Sequence, residues 1–260
     1  MKLRQAAIHP LLYRRIFDND CLKLMSKACL KEPMFSRSDP DAILEELQYY
    51  SDLECDDLCT KYPKTLGKFG LKDDAWMDSG KVDKLCELLA RFQREGDRTL
   101  VFSQFTKVMD ILERVLENQH IGFVRLDGQT SVEDRQSILD AFHERTEIPV
   151  FLLSTKAGGA GINLACANKV IIFDSSFNPQ EDVQAENRAH RVGQTRPVEV
   201  IRLVTRDTIE EQIHALGQTK LALDQAVVGD DPADAKRGEE AGMKVVEEMV
   251  AADLGAEKPT

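Results

Sequence analysis

PVFLLSTKAGGAGINL (Pro149–Leu164) is the stretch that decides the fold. Its first half, PVFLLS, is a short apolar run with no polar alternation, which suits a strand buried on both faces in a parallel sheet. Its second half, STKAGGAGINL, sets Gly158, Gly159 and Gly161 directly behind that strand, with Thr155 and Lys156 just before them. Four other runs share the texture of the first half: RTLVFS (Arg98–Ser103), GFVRLD (Gly122–Asp127), KVIIFD (Lys169–Asp174) and VEVIRLV (Val198–Val204). Helical patterns lie between them. Lys81–Arg94 gathers Val82, Leu85, Leu88 and Leu89 on one face, and Lys107–Asn118 gathers Val108, Ile111, Leu112 and Val115. A third helix, Ser131–His143, opens with Ser131 and Asp134 at capping-box spacing. Strand and helix in alternation predict an α/β, doubly wound parallel sheet over residues 76–228.

Working outward, residues 1–75 read as helical and irregular, a lead-in segment with an acidic insertion. Within DAILEELQYYSDLECDDLCTKY, Ile43, Leu44, Leu47, Tyr50, Leu53 and Leu58 fall near helical spacing, after turn chemistry at Ser38, Asp39 and Pro40. Residues 229–260 are rich in charge, Ala, Gly and Pro and read as a flexible tail, with a short amphipathic helix over Glu239–Val250 as the alternative. No internal repeat is present.

The net charge of -11 argues against a surface that binds nucleic acid over most of its area, yet leaves room for a local basic track. Of six cysteines, only Cys55 and Cys59 are close, and no histidine stands near them, so the expectation is free thiols in a reducing compartment and no metal. Neither a signal peptide nor an apolar run of membrane-crossing length is visible. The reading is a soluble intracellular protein.

In open α/β sheets ligands bind beyond the carboxyl ends of the strands. SQFT (Ser103–Thr106) reads as a helix cap. LDGQTS (Leu126–Ser131) reads as a capped turn or as a phosphate-holding helix start. The glycine-rich loop is either a tight turn or a nucleotide border, and it is not a Walker A loop, because no Gly-Lys-Ser/Thr follows at the right spacing. QAENRAHRVGQTR (Gln184–Arg196) steps Gln184, Arg188 and Arg191 along one face of an expected helix. Such an array is either a salt-bridged surface or a donor set for a triphosphate, since guanidinium offers rigid paired donors.

Taken together, FSQFT, FVRLDGQTS, LLSTKAGGAGINL and QAENRAHRVGQ resemble motifs IV, the following DNA-facing segment, V and VI of the C-terminal helicase lobe of superfamily two. The order and spacing over Ser79–Leu223 are similar to the Swi/Snf-like family of chromatin remodellers. DSSFNP (Asp174–Pro179) and TIEEQIHALGQTKLALDQAV look most like its SMARCAD/Fun-thirty-like branch. LRQAAIHPLLYR (Leu3–Arg14) resembles the segment that leads into this lobe, so the chain reads as starting inside a longer protein.

The resemblance implies a RecA-like second lobe and assigns roles. Arg188 and Arg191 would reach the γ-phosphate, with Arg191 as the finger and Gln184 coupling them to the nucleotide. Gly159, Gly161 and Asn163 would border the nucleotide. Thr155, Lys156, Gln104 and Thr130 would touch the DNA backbone, with Phe177 near the track. ATP with Mg²⁺ is the implied cofactor, shared with an upstream lobe. Double-stranded DNA and nucleosomes are the implied partners, the nucleus is the implied location, and the acidity also suits basic histone tails. Asn187 departs from the Asp usual in that place. No Walker A lysine loop and no Asp-Glu-x-His box occur, so turnover by the chain alone is not expected. Two alternatives stay open: another motor on the same fold, such as a bacterial RNA-polymerase-recycling translocase, and a protein-interaction module acting through the acidic helices or the tail. A dinucleotide fold does not, for lack of a strand–Gly-x-Gly-x-x-Gly–helix unit.

Overall fold

Five parallel strands carry the molecule, in the order β2-β3-β1-β4-β5. They are β1 (Thr99–Ser103), β2 (Phe123–Leu126), β3 (Val150–Ser154), β4 (Lys169–Ile172) and β5 (Glu199–Arg202). The structure is a computed structural model that describes residues 2–157 and 161–228. The expected tail and Gly158–Gly159 therefore lie outside the described residues. Every residue of β1 and β3 is buried, which is why these two runs carry no polar alternation. β1 sits at the centre, with Ser103 opposite Ser154 on one side and Leu100 opposite Val170 on the other.

Alternate residues of each strand feed opposite faces. On one face, α5 (Gly80–Arg94) and α6 (Thr106–Asn118) cover Val101, Leu152, Ile171 and Phe173 with Leu85, Leu89, Phe92, Ile111 and Leu112. On the other, α7 (Val132–Glu144) and α8 (Pro179–Glu186) contribute Phe142 and Ala185 against Leu100, Phe102, Phe151, Leu153 and Ile172. Truncating a fully buried ring such as Phe151 to Ala costs about 3–5 kcal/mol in transfer and cavity terms. The sheet is doubly wound, as its sequence pattern predicts.

The first and last of the described helices meet. α1 (Lys2–Ile8) packs on α9 (Ile209–Val228), which also packs on α8. His9 follows α1 and is buried: its Nδ1 accepts from Leu11 N, so its Nε2 donates to the Trp76 carbonyl at 3.2 Å. Burial lowers its pKa and holds the ring neutral.

Between these lies a helical unit: α2 (Asn19–Cys29), α3 (Pro40–Leu47) and α4 (Asp52–Lys61). Asp39 caps α3 with Pro40 in its first turn. The periodic stretch from Asp41 to Tyr62 is two helices, because a capping box between Ser51 and Glu54 starts α4 afresh. The unit has its own apolar cluster of Phe17, Leu22, Met25, Ile43, Leu47, Cys55, Cys59 and Leu66. Cys55 and Cys59 act there as small apolar side chains, their thiols pushed up to about 12 by burial. Asp52, wholly buried, accepts hydrogen bonds from the backbone N–H of Arg15, Ile16 and Phe17. Lys107 of α6 pairs with Glu54 of α4, joining unit to lobe.

Candidate functional site

The candidate residues fall into two groups. The first gathers at the carboxyl ends of the central strands. Thr155 follows β3 and its N–H donates to the Ser103 carbonyl at 3.0 Å, which sets it beside Gln104 at the end of β1. Gln104 Nε2 and Thr155 Oγ1 are both buried and have no hydrogen-bond partner among the described residues. A buried polar group left unpaired costs about 1–3 kcal/mol, so a hydrogen-bonding partner at either atom would be stabilising. Lys156, next along, is exposed. Thr130 belongs to the loop after the neighbouring strand β2, where its hydroxyl accepts from Asp127 N at 3.0 Å and so shapes the turn. Arg125 stands at the same edge, held by Asp110, Glu113 and Asp127.

Asp174, just past β4, organises this end of the sheet. It is 1 % exposed and accepts from Ser103 Oγ and from Gln104 N at 2.9 Å. Burial pushes its carboxyl up to about 7, against the pull of those donors and of Lys81 and Arg4. Lys81 is itself buried, donating to the Phe173 carbonyl at 2.7 Å and to Glu210 at 2.6 Å. Its pKa is lowered by desolvation, with Glu210 opposing.

The second group lies elsewhere. α8 ends at Glu186, and Asn187 is its C-cap. The expected single helix through Gln184, Arg188 and Arg191 is corrected accordingly: the chain turns. Arg188 N and Ala189 N reach back only three residues, to Ala185 and Glu186, and the Arg188 carbonyl accepts from Leu164 N at 3.0 Å. Gln184 is exposed on α8, Arg188 is 6 % exposed, and Arg191 is exposed on the turn. Nor does this turn follow a strand end. It lies on the return from α8 to β5.

What the turn touches is the exit of the glycine-rich loop. Arg191 Nη1 donates to the Gly161 carbonyl at 2.9 Å. Gly161 has φ +72, a conformation that its missing Cβ permits. Asn163 is exposed and accepts from Ala165 N, closing a local turn. Gln194 Nε2 donates to the Ala167 and Ala189 carbonyls at 2.7 and 3.2 Å. Burial, then the nearby Arg191 charge, depresses the pKa of Arg188. The Arg188 guanidinium thus lies within electrostatic reach of the Arg191 charge. Gly161 and Asn163 join Arg188 and Arg191, whereas Gly159 lies outside the described residues.

Three groups were not legible in the sequence: Asp174, Gln194 and Arg4. All three sit inside quoted motifs, but their burial or bridging comes from partners far along the chain. Arg4 Nη2 donates to the Ser175 carbonyl at 2.6 Å across 171 residues.

Sheet order, the two loop groups and the arginine turn define a RecA-like C-terminal helicase lobe. A model of the helicase conserved C-terminal domain matches residues 80–193. The ATP-dependent helicase fft2 of Schizosaccharomyces pombe is 52% identical over 250 residues, 96% of this chain and 19% of its own length. FUN30 of Saccharomyces cerevisiae, also an ATP-dependent helicase, is 50% identical over 88% of this chain and 20% of its own length. A Danio rerio SWI/SNF-related matrix-associated actin-dependent regulator of chromatin, containing DEAD/H box 1A, is 46% identical over 90% of this chain. The chain therefore spans about a fifth to a quarter of these relatives, 24% of the last. A crystal structure of the C-terminal part of the Fun30 ATPase domain superposes with TM-score 0.81 at 44% identity, covering 96% of this chain and 79% of that one. The chain belongs to the Fun30- and SMARCAD-like branch of the Swi/Snf-like helicase family, as its C-terminal lobe.

Proposed function

We propose that this chain is the second motor lobe of an ATP-driven, DNA-translocating nucleosome remodeller. The observation that carries this reading is the arginine turn clipped to the glycine loop: Arg191 on the Gly161 carbonyl, and the Arg188 carbonyl on Leu164 N. A donor pair held this way fits a triphosphate, and an arginine finger acts by neutralising charge that develops on the transferred phosphoryl group. Arg191, being exposed, is the finger. Arg188, packed behind it, adds charge and fixes the turn, Gln184 couples the two to the nucleotide, and Gly161 and Asn163 border it, with Gly159 assigned by resemblance. The Walker A loop and the acidic box belong to an upstream lobe, and with them the Mg²⁺.

At the carboxyl ends of the strands, Thr155, Lys156 and Gln104 grip the DNA backbone, with Thr130 shaping the adjacent loop. The unpaired Gln104 Nε2 and Thr155 Oγ1 support this assignment. Contacts of this kind go to phosphates and carry little sequence preference. Both groups share the segment between β3 and β4, so closure of the lobes on ATP shifts the DNA grip, and hydrolysis releases it. Duplex DNA and nucleosomes are the substrates in this reading, and the nucleus is where it operates.

The two groups separate kinetically. Lys156→Ala in the chain joined to its upstream lobe is expected to raise the DNA concentration for half-maximal ATPase while leaving turnover at saturating DNA near wild type. Arg188→Ala is expected to lower turnover at any DNA concentration. Swapped outcomes would refute the division.

A second reading has one observation in its favour. The helical unit has its own core yet exposes Leu24, Met34 and Tyr49, so it also serves as a protein-docking element, histones included. Replacing these three by Ser and Gln should then weaken nucleosome binding without changing free-DNA ATPase. Unchanged nucleosome binding would remove this role.

A further inference from the structure

Neighbouring strands β1 and β4 part at their carboxyl ends, since β1 leads to α6 on one face and β4 to α8 on the other. Such a switch point leaves a crevice, and in open α/β sheets the crevice is where a ligand sits. Here the chain fills it with its own side chain. The Arg4 guanidinium, from α1, lies 4.9 Å from the centre of the Phe105 ring and 4.9 Å from that of Phe177. Its Nη2 donates to the Ser175 carbonyl at 2.6 Å and stands 3.8 Å from the buried Asp174 carboxylate. The side chain is 11% exposed. A planar cation between two rings, with a carboxyl group at its end, is a geometry that guanidinium meets and ammonium does not.

Everything Arg4 touches bears on the DNA-facing loops. Phe105 follows Gln104 in the loop after β1, and Phe177 lies in the loop after β4, half exposed beyond it. Asp174, the buried carboxyl beside Arg4, also holds Gln104 N and Ser103 Oγ. One side chain therefore sets the spacing of both loops and the placement of Gln104. α1 continues into the segment through His9 that packs under the sheet, so the same residue ties the lead-in of the chain to the DNA-facing edge.

We propose that Arg4 is a positioning residue for DNA, the latch by which the segment leading into this lobe holds the loops after β1 and β4 in register for the duplex backbone. This rests on the DNA-facing reading of Gln104 and Lys156 above. It does not depend on the arginine turn.

The test measures ATP turnover against duplex DNA concentration in the chain joined to its upstream lobe, for wild type, Arg4→Ala, Arg4→Lys, Gln104→Ala and Lys156→Ala. Arg4→Ala should raise the half-saturating DNA concentration about tenfold, corresponding to one lost charge-assisted contact. Turnover at saturating DNA should stay within about twofold of wild type, as expected for a residue that touches neither nucleotide nor phosphate. Arg4→Lys keeps the charge and should still show most of the defect; it decides the matter if Arg4→Ala does not fold. Half-saturation unchanged in both Arg4 variants, or turnover lost with half-saturation unchanged, would overturn the latch while a shift in Gln104→Ala and Lys156→Ala keeps the DNA-facing reading. If those two variants also leave half-saturation unchanged, the DNA-facing reading falls and the latch with it.

Discussion

Asp52 and Asp174 are both buried carboxylates, and their surroundings make opposite predictions. Asp52 accepts from three successive backbone N–H groups, so Asp52→Ala strips partners from all three. A loss of about 3 kcal/mol is expected, measured as a shift in urea midpoint with unchanged slope. Asp174 has fewer donors for its burial, and its carboxyl stands at about 7. Between the ordinary carboxylate range and that value the folded chain holds the proton and the unfolded chain does not. Stability from this residue therefore falls as pH rises through the window. Asp174→Asn, which keeps an acceptor for Gln104 N, should gain on wild type from about pH 4 to about pH 8, read by urea denaturation across that range. Parallel pH curves for the two proteins would count against it. Neither behaviour is written locally in the sequence. Asp174 closes the quoted run KVIIFD like any strand-end residue, and its environment is supplied by Ser103, Lys81 and Arg4 from distant segments.

At the scale of elements, the buried pair Lys81–Glu210 pins the start of α5 to the start of α9 and to the Phe173 carbonyl at the end of β4. Lys81→Met alone leaves Glu210 buried without its cation and should cost about 3–5 kcal/mol by denaturant unfolding. The double variant Lys81→Met/Glu210→Leu should cost less than the sum of the two singles, since neither charge is then stranded. The elements themselves were largely legible. All five strands and α5, α6 and α7 lie where alternating apolar runs and helical periodicity put them, because burial on two faces and on one leaves different patterns. The arginine turn was not. Residues spaced by four and three read as helix, but the Arg188 carbonyl, which a helix would bond to the N–H four residues on, is taken by Leu164 N. That competitor lies 24 residues upstream, beyond what periodicity can register. The long periodic stretch around Tyr50 divides for a more local reason, the Ser51–Glu54 box, whose S-x-x-E spacing was there to be read.

Over the whole molecule, the strand ends proposed to face DNA and the arginine-bearing turn share one segment, residues 155–168 between β3 and β4. The order and spacing of the motifs along the chain made the lobe recognisable. The placement of the helical unit and the Arg4 latch was not recognisable, since both depend on packing between distant parts of the chain. The central claim is that this lobe supplies an arginine to an ATP site completed from outside it, and steady-state ATP turnover tests that claim directly. Rates are compared with and without duplex DNA for the chain alone and joined to its upstream lobe, as wild type and as Arg191→Ala. The account predicts no turnover by the chain alone, DNA-stimulated turnover by the joined protein, and a loss of about a thousandfold or more in joined Arg191→Ala. Turnover by the isolated chain, or a joined Arg191→Ala protein as fast as wild type, would contradict it.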